Sequence, residues 1–234
     1  MERLDKVISN QIGYSRKEVK DLVKQKRITI NGDIALKSDV KVDVLVDKIF
    51  VDGEEISFKK FVYLMLNKPK GYVSATEDKN MPTVLELVPD EYLHRDLFPA
   101  GRLDRDTTGL MLITDDGEFA HNILSPKKHV KKTYNVTIDI PMTEEMVNGF
   151  KNGVNLIDGE CKEAELTITG EYTGVVVLTE GRYHQIKRMF GCYGAKVIEL
   201  NRICIGNLYI PKELKLGQVR EATYIELQKI QEIC

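Results

Sequence analysis

GRLDRDTTGLMLITDDG, residues 101–117, couples a polar loop to an unbroken apolar run. Leu110 to Ile113 is bounded by Gly109 and by the turn Asp115-Asp116-Gly117, the pattern of a strand buried on both faces. The loop before it therefore lies at a strand's mouth, and there Asp104 stands between Arg102 and Arg105. An aspartate so placed serves either as an ionised carboxylate or as a cap on its own turn.

The chain has 234 residues, enough for one sizeable core and a small additional module. With 42% hydrophobic and 30% charged residues it has the composition of a soluble globular protein. Its charged start argues against a secretory signal, and no run approaches the ~20 apolar residues of a membrane helix. Cys161, Cys192, Cys204 and Cys234 are scattered, as expected of reduced thiols in a cytoplasm. His94, His121, His129 and His184 make no metal-ligand spacing with the acids, so no metal is expected. The formal net charge is only −2, so any nucleic-acid contact must come from local clusters. One such cluster is Ser15–Arg27, with six basic and two acidic residues.

Outward from the central stretch, the N-terminal side opens with Leu4, Val7, Ile8 and Ile12 at helical spacing, closed by Gly13. Ser15 and Glu18 form a capping box for a second helix that buries Val19, Leu22 and Val23. Its other face carries Arg16, Lys20, Lys24 and Arg27, either a solvated stripe or a rigid set of phosphate contacts. Ile28–Ile30, an alternating segment through Val42, Val44 and Val46, and Ile49–Val51 read as short strands, with turns at Asn31-Gly32 and Asp52-Gly53. The organisation expected is a module over 1–56, a linker over 57–60 and a larger domain over 61–234.

On the C-terminal side, Phe119, Ile123 and Leu124 give a helix stopped at Ser125-Pro126, and a basic loop Lys127–Lys132 leads into an alternating strand to Ile138. Thr143 starts a helix towards Val154, and two strands joined across Gly170–Gly174 follow. In EGRYHQIKRMF (180–190), Tyr183, Ile186, Met189 and Phe190 share one helical face and are expected in the core. Arg182, His184, Lys187 and Arg188 are left for a cleft or solvent. Strands are expected over 195–205 and 207–210, then a last helix over 223–233 with a Thr223/Glu226 capping box.

GRLDRDTTGL, NKPKGYVSAT (67–76), KTYNV (132–136) and EGRYHQIKRMF resemble, in order, the motifs of the pseudouridine synthases. The RYHQ-K form of the last motif most resembles the branch acting on bacterial small-subunit (16S) ribosomal RNA. RLDKVI, SRKEVKDLVKQKRITINGD and VDGEEI over the first 56 residues resemble the αL RNA-binding module of ribosomal proteins.

The resemblance implies an α+β fold, with a large mixed, mostly antiparallel sheet carrying the active site in a cleft. It implies a cofactor-free isomerase that breaks the C1′–N1 bond of a uridine and rejoins the sugar to C5. Asp104 matches the family's catalytic carboxylate, Tyr134 the residue that stacks on uracil, and Lys187 the cation pairing with Asp104, where the family more often has Arg. Arg102 and Arg188 are the other candidates for that pairing. The carboxylate serves two routes equally, attack on C1′ or C6 or abstraction of the C2′ proton. Leu103, Ile186 and Met189 are expected as pocket walls, and Arg102, Arg105, Arg182 and Arg188 as RNA contacts beside Arg16, Lys20, Lys24 and Arg27. The partner implied is ribosomal RNA or a pre-ribosomal small-subunit particle, met by a monomer in the cytoplasm. A large-subunit (23S) uridine or a non-catalytic assembly role are the alternatives.

Overall fold

The computed structural model describes residues 1–125 and 128–231. They form two units, Met1–Val62 with Val88–Leu97, and Tyr63–Leu87 with the described residues from Phe98 onward.

The first unit begins with β1 (Glu2–Arg3), α1 (Leu4–Ile12) and α2 (Arg16–Lys24), followed by β2 (Ile28–Ile30), β3 (Asp33–Ile34), β4 (Lys41–Val42), β5 (Ile49–Val51) and β6 (Glu54–Glu55). Gly13, at φ +81°, ends α1, and Ser15 and Glu18 close a reciprocal capping box on α2. The apolar stripes of both helices then meet Ile28, Ile49 and Val51 in one small core. The strands pair antiparallel in the order β3-β2-β5-β6, with β1 on β4 apart. The alternation through Val46 does not give one strand. The Asp43 carbonyl accepts the Val46 amide at 3.0 Å and the Asp43 amide donates to the Asp47 carboxylate at 2.7 Å, closing a turn instead. Residues 88–97 pack here as well: a ring nitrogen of His94 lies 3.0 Å from the Asn10 carbonyl, and Arg95 donates to the Lys59 carbonyl at 2.6 Å.

The second unit is built on a mixed sheet of β7 (Tyr63–Lys68), β8 (Phe98–Pro99), β9 (Thr108–Thr114) and β10 (Lys132–Ile138). β11 (Asn155–Leu156) and β12 (Gly159–Glu160) make a separate hairpin, and β13 (Glu165–Ile168), β14 (Thr173–Leu178), β15 (Val197–Ile205), β16 (Leu208–Tyr209) and β17 (Val219–Glu221) return to the sheet. The order is β13-β14-β10-β15-β9-β7-β17, with β8 on β9 and β16 on β15. Only the β9–β15 pairing is parallel among these. The helices are α3 (Gly117–Leu124), α4 (Glu144–Asn152), α5 (Gln185–Gly191) and α6 (Tyr224–Gln231).

β9 is buried on both faces, as its apolar run predicts: Leu110 and Leu112 pack with Met65, Phe119, Ile205 and Leu208, while Met111 and Ile113 are buried opposite. At its start Gly109, at φ +110°, faces β15 so closely that a Cβ would lie 2.2 Å from the Arg202 carbonyl oxygen. Only glycine permits that approach. It fixes where β9 begins and so where the preceding loop stands.

One core assignment is corrected. Tyr183 is 70% exposed, because His184 adopts φ 48° and ψ 34° and α5 starts only at Gln185. The left-handed residue turns Tyr183 off the helical face that Ile186, Met189 and Phe190 bury. Pro126, Lys127 and the expected end of the last helix at 232–233, with Cys234, lie outside the described residues. Among the described residues no helix is long and apolar enough to cross a membrane.

Candidate active site

The loop between Gly101 and β9 is held by its main chain. Lys68, at the end of β7 and 0% exposed, points its ammonium at four carbonyl oxygens: Thr107 at 2.9 Å, Asp104 at 3.0 Å, Pro69 at 3.1 Å and Arg105 at 3.3 Å. Burial pushes its pKa down to about 8, against the raising effect of the Asp106 and Asp104 carboxylates. The Gly71 amide donates to the Arg105 carbonyl at 2.8 Å. The Ser74 hydroxyl donates to the Leu103 carbonyl at 2.7 Å and accepts the Leu103 amide at 2.9 Å. The NKPKGYVS segment thus ties down each side of Asp104, leaving its carboxylate to project.

That carboxylate meets the start of α5. Lys187 Nζ lies 3.0 Å from Asp104 Oδ2, and His184 Nε2 lies 3.5 Å from Asp104 Oδ1. Lys187 also donates to Asp106 Oδ1 at 2.5 Å, so one ammonium bridges two carboxylates. Burial alone would lower the Lys187 pKa, but hydrogen bonds to Asp106 and Asp104 outweigh it and raise it. Burial likewise opposes ionisation of Asp106, and the Lys187 hydrogen bond and charge overcome that, lowering its pKa. The Asp104 and Lys187 side chains are each 23% exposed, open to a ligand yet shielded from most solvent.

Both line a cavity of about 420 Å³, with Tyr134 of β10, Leu178 of β14 and Leu200 of β15 among its walls. Its size suits one nucleoside, and its lining joins apolar surface to a few convergent polar groups. Leu103 and Ile186 also line it, as the sequence suggested. Met189 is fully buried and is not among the lining residues.

The cations expected to meet RNA fall into two groups. Arg16 and Lys20 on α2, and Arg102 and Arg105 in the loop, are exposed. Lys24 pairs with Asp21 at 3.1 Å, and Arg27 forms a two-pronged pair with Asp52 at 2.5 and 2.6 Å. Arg182 donates to the Gly159 carbonyl at 2.9 Å and to the Glu160 carbonyl, and Arg188 donates to both oxygens of Asp158 and to the Tyr183 carbonyl at 3.1 Å. The last two therefore clasp the β11–β12 hairpin to the start of α5.

Neither Lys68 nor Asp106 is expected at the site from sequence, and His184 reads equally as a polar residue near a helix start. Lys68 belongs to a recognised motif, but a lysine at a strand end reads as solvated until the loop folds over it. Asp106 carries the signal that marks Asp104, an acid in the same loop. His184 is among the residues that tolerate the left-handed region, a weak hint of a break before α5.

Known proteins supply the comparison. Residues 62–191 match the family described as RNA pseudouridylate synthase, and residues 2–45 match the S4 domain. The chain is 40% identical over 235 residues to an uncharacterized RNA pseudouridine synthase, YtzG, of Bacillus subtilis (strain 168), with 98% of each chain covered. It is 41% identical over 233 residues to ribosomal small subunit pseudouridine synthase A of Yersinia pestis, covering 97% of each. With the protein of that name from Escherichia coli (strain K12) it shares 39% identity over 231 residues, covering 97% of this chain and 99% of the other. A crystal structure of a pseudouridylate synthase superposes with a TM-score of 0.69 at 37% identity, over 98% of this chain and 100% of that one. Matched along nearly its whole length, in fold as in sequence, this chain belongs to the RNA pseudouridine synthases and carries an S4 domain at its N-terminus.

Proposed function

We propose that this pseudouridine synthase modifies a specific uridine of small-subunit (16S) ribosomal RNA, with Asp104 as its essential carboxylate. The observation that carries the assignment of Asp104 is its ion pair with Lys187 inside a nucleoside-sized cavity walled by Tyr134. The small-subunit substrate is supported by relatives named for that activity at about 40% identity over essentially the full chain.

In this reading the target uridine leaves its stack and enters the cavity, at a cost of a few kcal/mol met by contacts to the flanking RNA. Lys187, paired with Asp104 at 3.0 Å, holds the carboxylate in place beside the bound nucleotide. Asp104 then acts on the sugar or the base; the C1′–N1 bond breaks, uracil turns against Tyr134, and C5 bonds to C1′. The C5 proton leaves and N1 gains one, so the product is an isomer and no cofactor is consumed. Arg102 and Arg105, at the mouth of the cleft, hold the adjoining phosphates, and Arg16 and Lys20 with Lys24 and Arg27 hold others. Arg182 and Arg188 serve RNA binding by fixing the shape of the cleft's rim.

The test is pseudouridine mapping by carbodiimide-dependent reverse-transcription stops on small- and large-subunit ribosomal RNA treated with the purified chain. One new stop in the small subunit is expected, and none with Asp104→Asn, whose circular dichroism and RNA affinity should stay near wild type. A stop confined to large-subunit RNA would overturn the substrate assignment, and an active Asp104→Asn would overturn the role of the carboxylate.

A further inference from the structure

The rim of the cleft carries an aromatic stack that the reaction does not use. The Tyr183 and His184 rings lie 3.8 Å apart at 18°, one over the other. Both rings border the cavity, and His184 is the inner member, with its Nε2 3.5 Å from Asp104. Tyr183 is the outer one. With one ring face on His184 and the residue 70% exposed, the other face is left to solvent.

This placement is built. A left-handed histidine is uncommon, and it is what brings the two consecutive side chains onto one stack. The loop is also braced on each side: the Arg188 guanidinium donates to the Tyr183 carbonyl at 3.1 Å, and the Arg182 amide donates to Gln185 Oε1 at 2.9 Å. Gln185 in turn donates to Glu180 at 2.6 Å. An exposed tyrosine on a rigid loop loses little conformational freedom when it is covered, which favours its use as a contact surface.

Charge decides what would cover it. Arg182, Lys187 and Arg188, the Lys and Arg side chains nearest in sequence, already meet the Gly159 and Glu160 carbonyls, the Asp104 and Asp106 carboxylates, and Asp158 respectively. This side of the rim therefore offers RNA a ring face, and the partner of a ring face is a nucleobase. We infer that Tyr183 is a stacking platform for an unpaired base next to the target uridine, extending the His184–Tyr183 pair by a third ring.

The inference rests on uridine isomerisation in this cleft, and its test separates the two. The full chain is titrated with substrate RNA in which each nucleotide flanking the target uridine in turn lacks its base. Loss of one particular base should weaken wild-type binding about tenfold, the effect of one base–aromatic stack. Tyr183→Ala should bind intact RNA about tenfold more weakly and lose nothing further when that base is absent, whereas Tyr183→Phe should match wild type. Single-turnover rates at saturating RNA should fall far less than affinity does, because His184 rather than Tyr183 lies against Asp104. An active wild-type protein indifferent to every flanking base would overturn the platform alone, whatever the variant's folding. Tyr183→Ala with wild-type affinity, or with losses that simply add, would do the same, and a wild-type protein inactive on every transcript would overturn both readings.

Discussion

Among the described residues Lys68 is a buried cation with no carboxylate at contact distance, its ammonium set among four carbonyl oxygens that shape the loop of Asp104. Charge-assisted hydrogen bonds of this kind are stronger than neutral ones, and leaving their acceptors unpaired costs about 1–3 kcal/mol. Lys68→Met should therefore lower kcat about 10- to 100-fold while RNA affinity falls only a few-fold, since Asp104 and Arg105 depend on this loop but the cations of α2 do not. The same geometry predicts an alkaline limb. With a folded-state pKa of about 8, against an ordinary 10.5, Lys68 loses a proton, and with it one of three donors, within reach of physiological pH. The folded chain binds that proton less tightly than the unfolded one, so on this group's account stability rises from pH 8 towards 10.5. Single-turnover rates measured from pH 7 to 9 should fall through about pH 8 without a matching loss of thermal stability. Rate and stability falling together would trace the limb to unfolding.

At the level of elements, local chemistry sets the ends of the helices and the sheet sets their use. α6 shows the first part. The Thr223 amide donates to Glu226 at 2.8 Å, the Glu226 amide donates to the Thr223 hydroxyl at 3.3 Å, and Arg220 adds a two-pronged pair at 2.6 and 2.9 Å. Hydrogen bonding to Arg220, ahead of the opposing burial, takes the Glu226 pKa down to about 2. Its side chain is 17% exposed, so the stabilisation is on the order of 2–3 kcal/mol. A depressed carboxylate contributes fully above its unfolded pKa of 4.5 and loses its contribution as pH falls towards 2. Glu226→Gln should thus destabilise the protein in urea at pH 7, with the gap narrowing below pH 4.5. A constant gap would place the effect in packing. This box, the one at Ser15 and Glu18, and the doubly buried β9 were all legible, because each is written in adjacent residues or in an unbroken apolar run. What escaped was written elsewhere. Strands of two residues in β11 and β12 are too short to alternate, although Asp158-Gly159 is a hairpin signal. Tyr183 fits a helical period that one left-handed residue interrupts, and the burial of Lys68 depends on a loop 36 residues away.

Across the whole molecule, a near-neutral chain concentrates its positive charge in small surfaces, and pairing reduces them further. Six cations lie in Ser15–Arg27, yet Lys24 and Arg27 are paired with Asp21 and Asp52. Arg16 and Lys20 remain exposed on the S4 domain's second helix, without an ion pair to a described residue. Removing the module is a poor test of this division of labour, because residues 88–97 pack with it through His94 and Arg95 before the chain continues to β8 and the loop of Asp104. Deletion would strip that segment of its partners and perturb more than RNA contact. Point substitution avoids the difficulty. Neutralising two phosphate contacts should reduce the slope of log affinity against log salt by about 1.5. Arg16→Gln with Lys20→Gln is therefore expected to bind ribosomal RNA at least tenfold more weakly at low salt, to lose less of that affinity as salt rises, and to keep the wild-type single-turnover rate once RNA is saturating. An unchanged salt slope would remove these two side chains from the RNA interface, and a slower step at saturation would show that the module helps assemble the site around Asp104 as well as tethering its substrate.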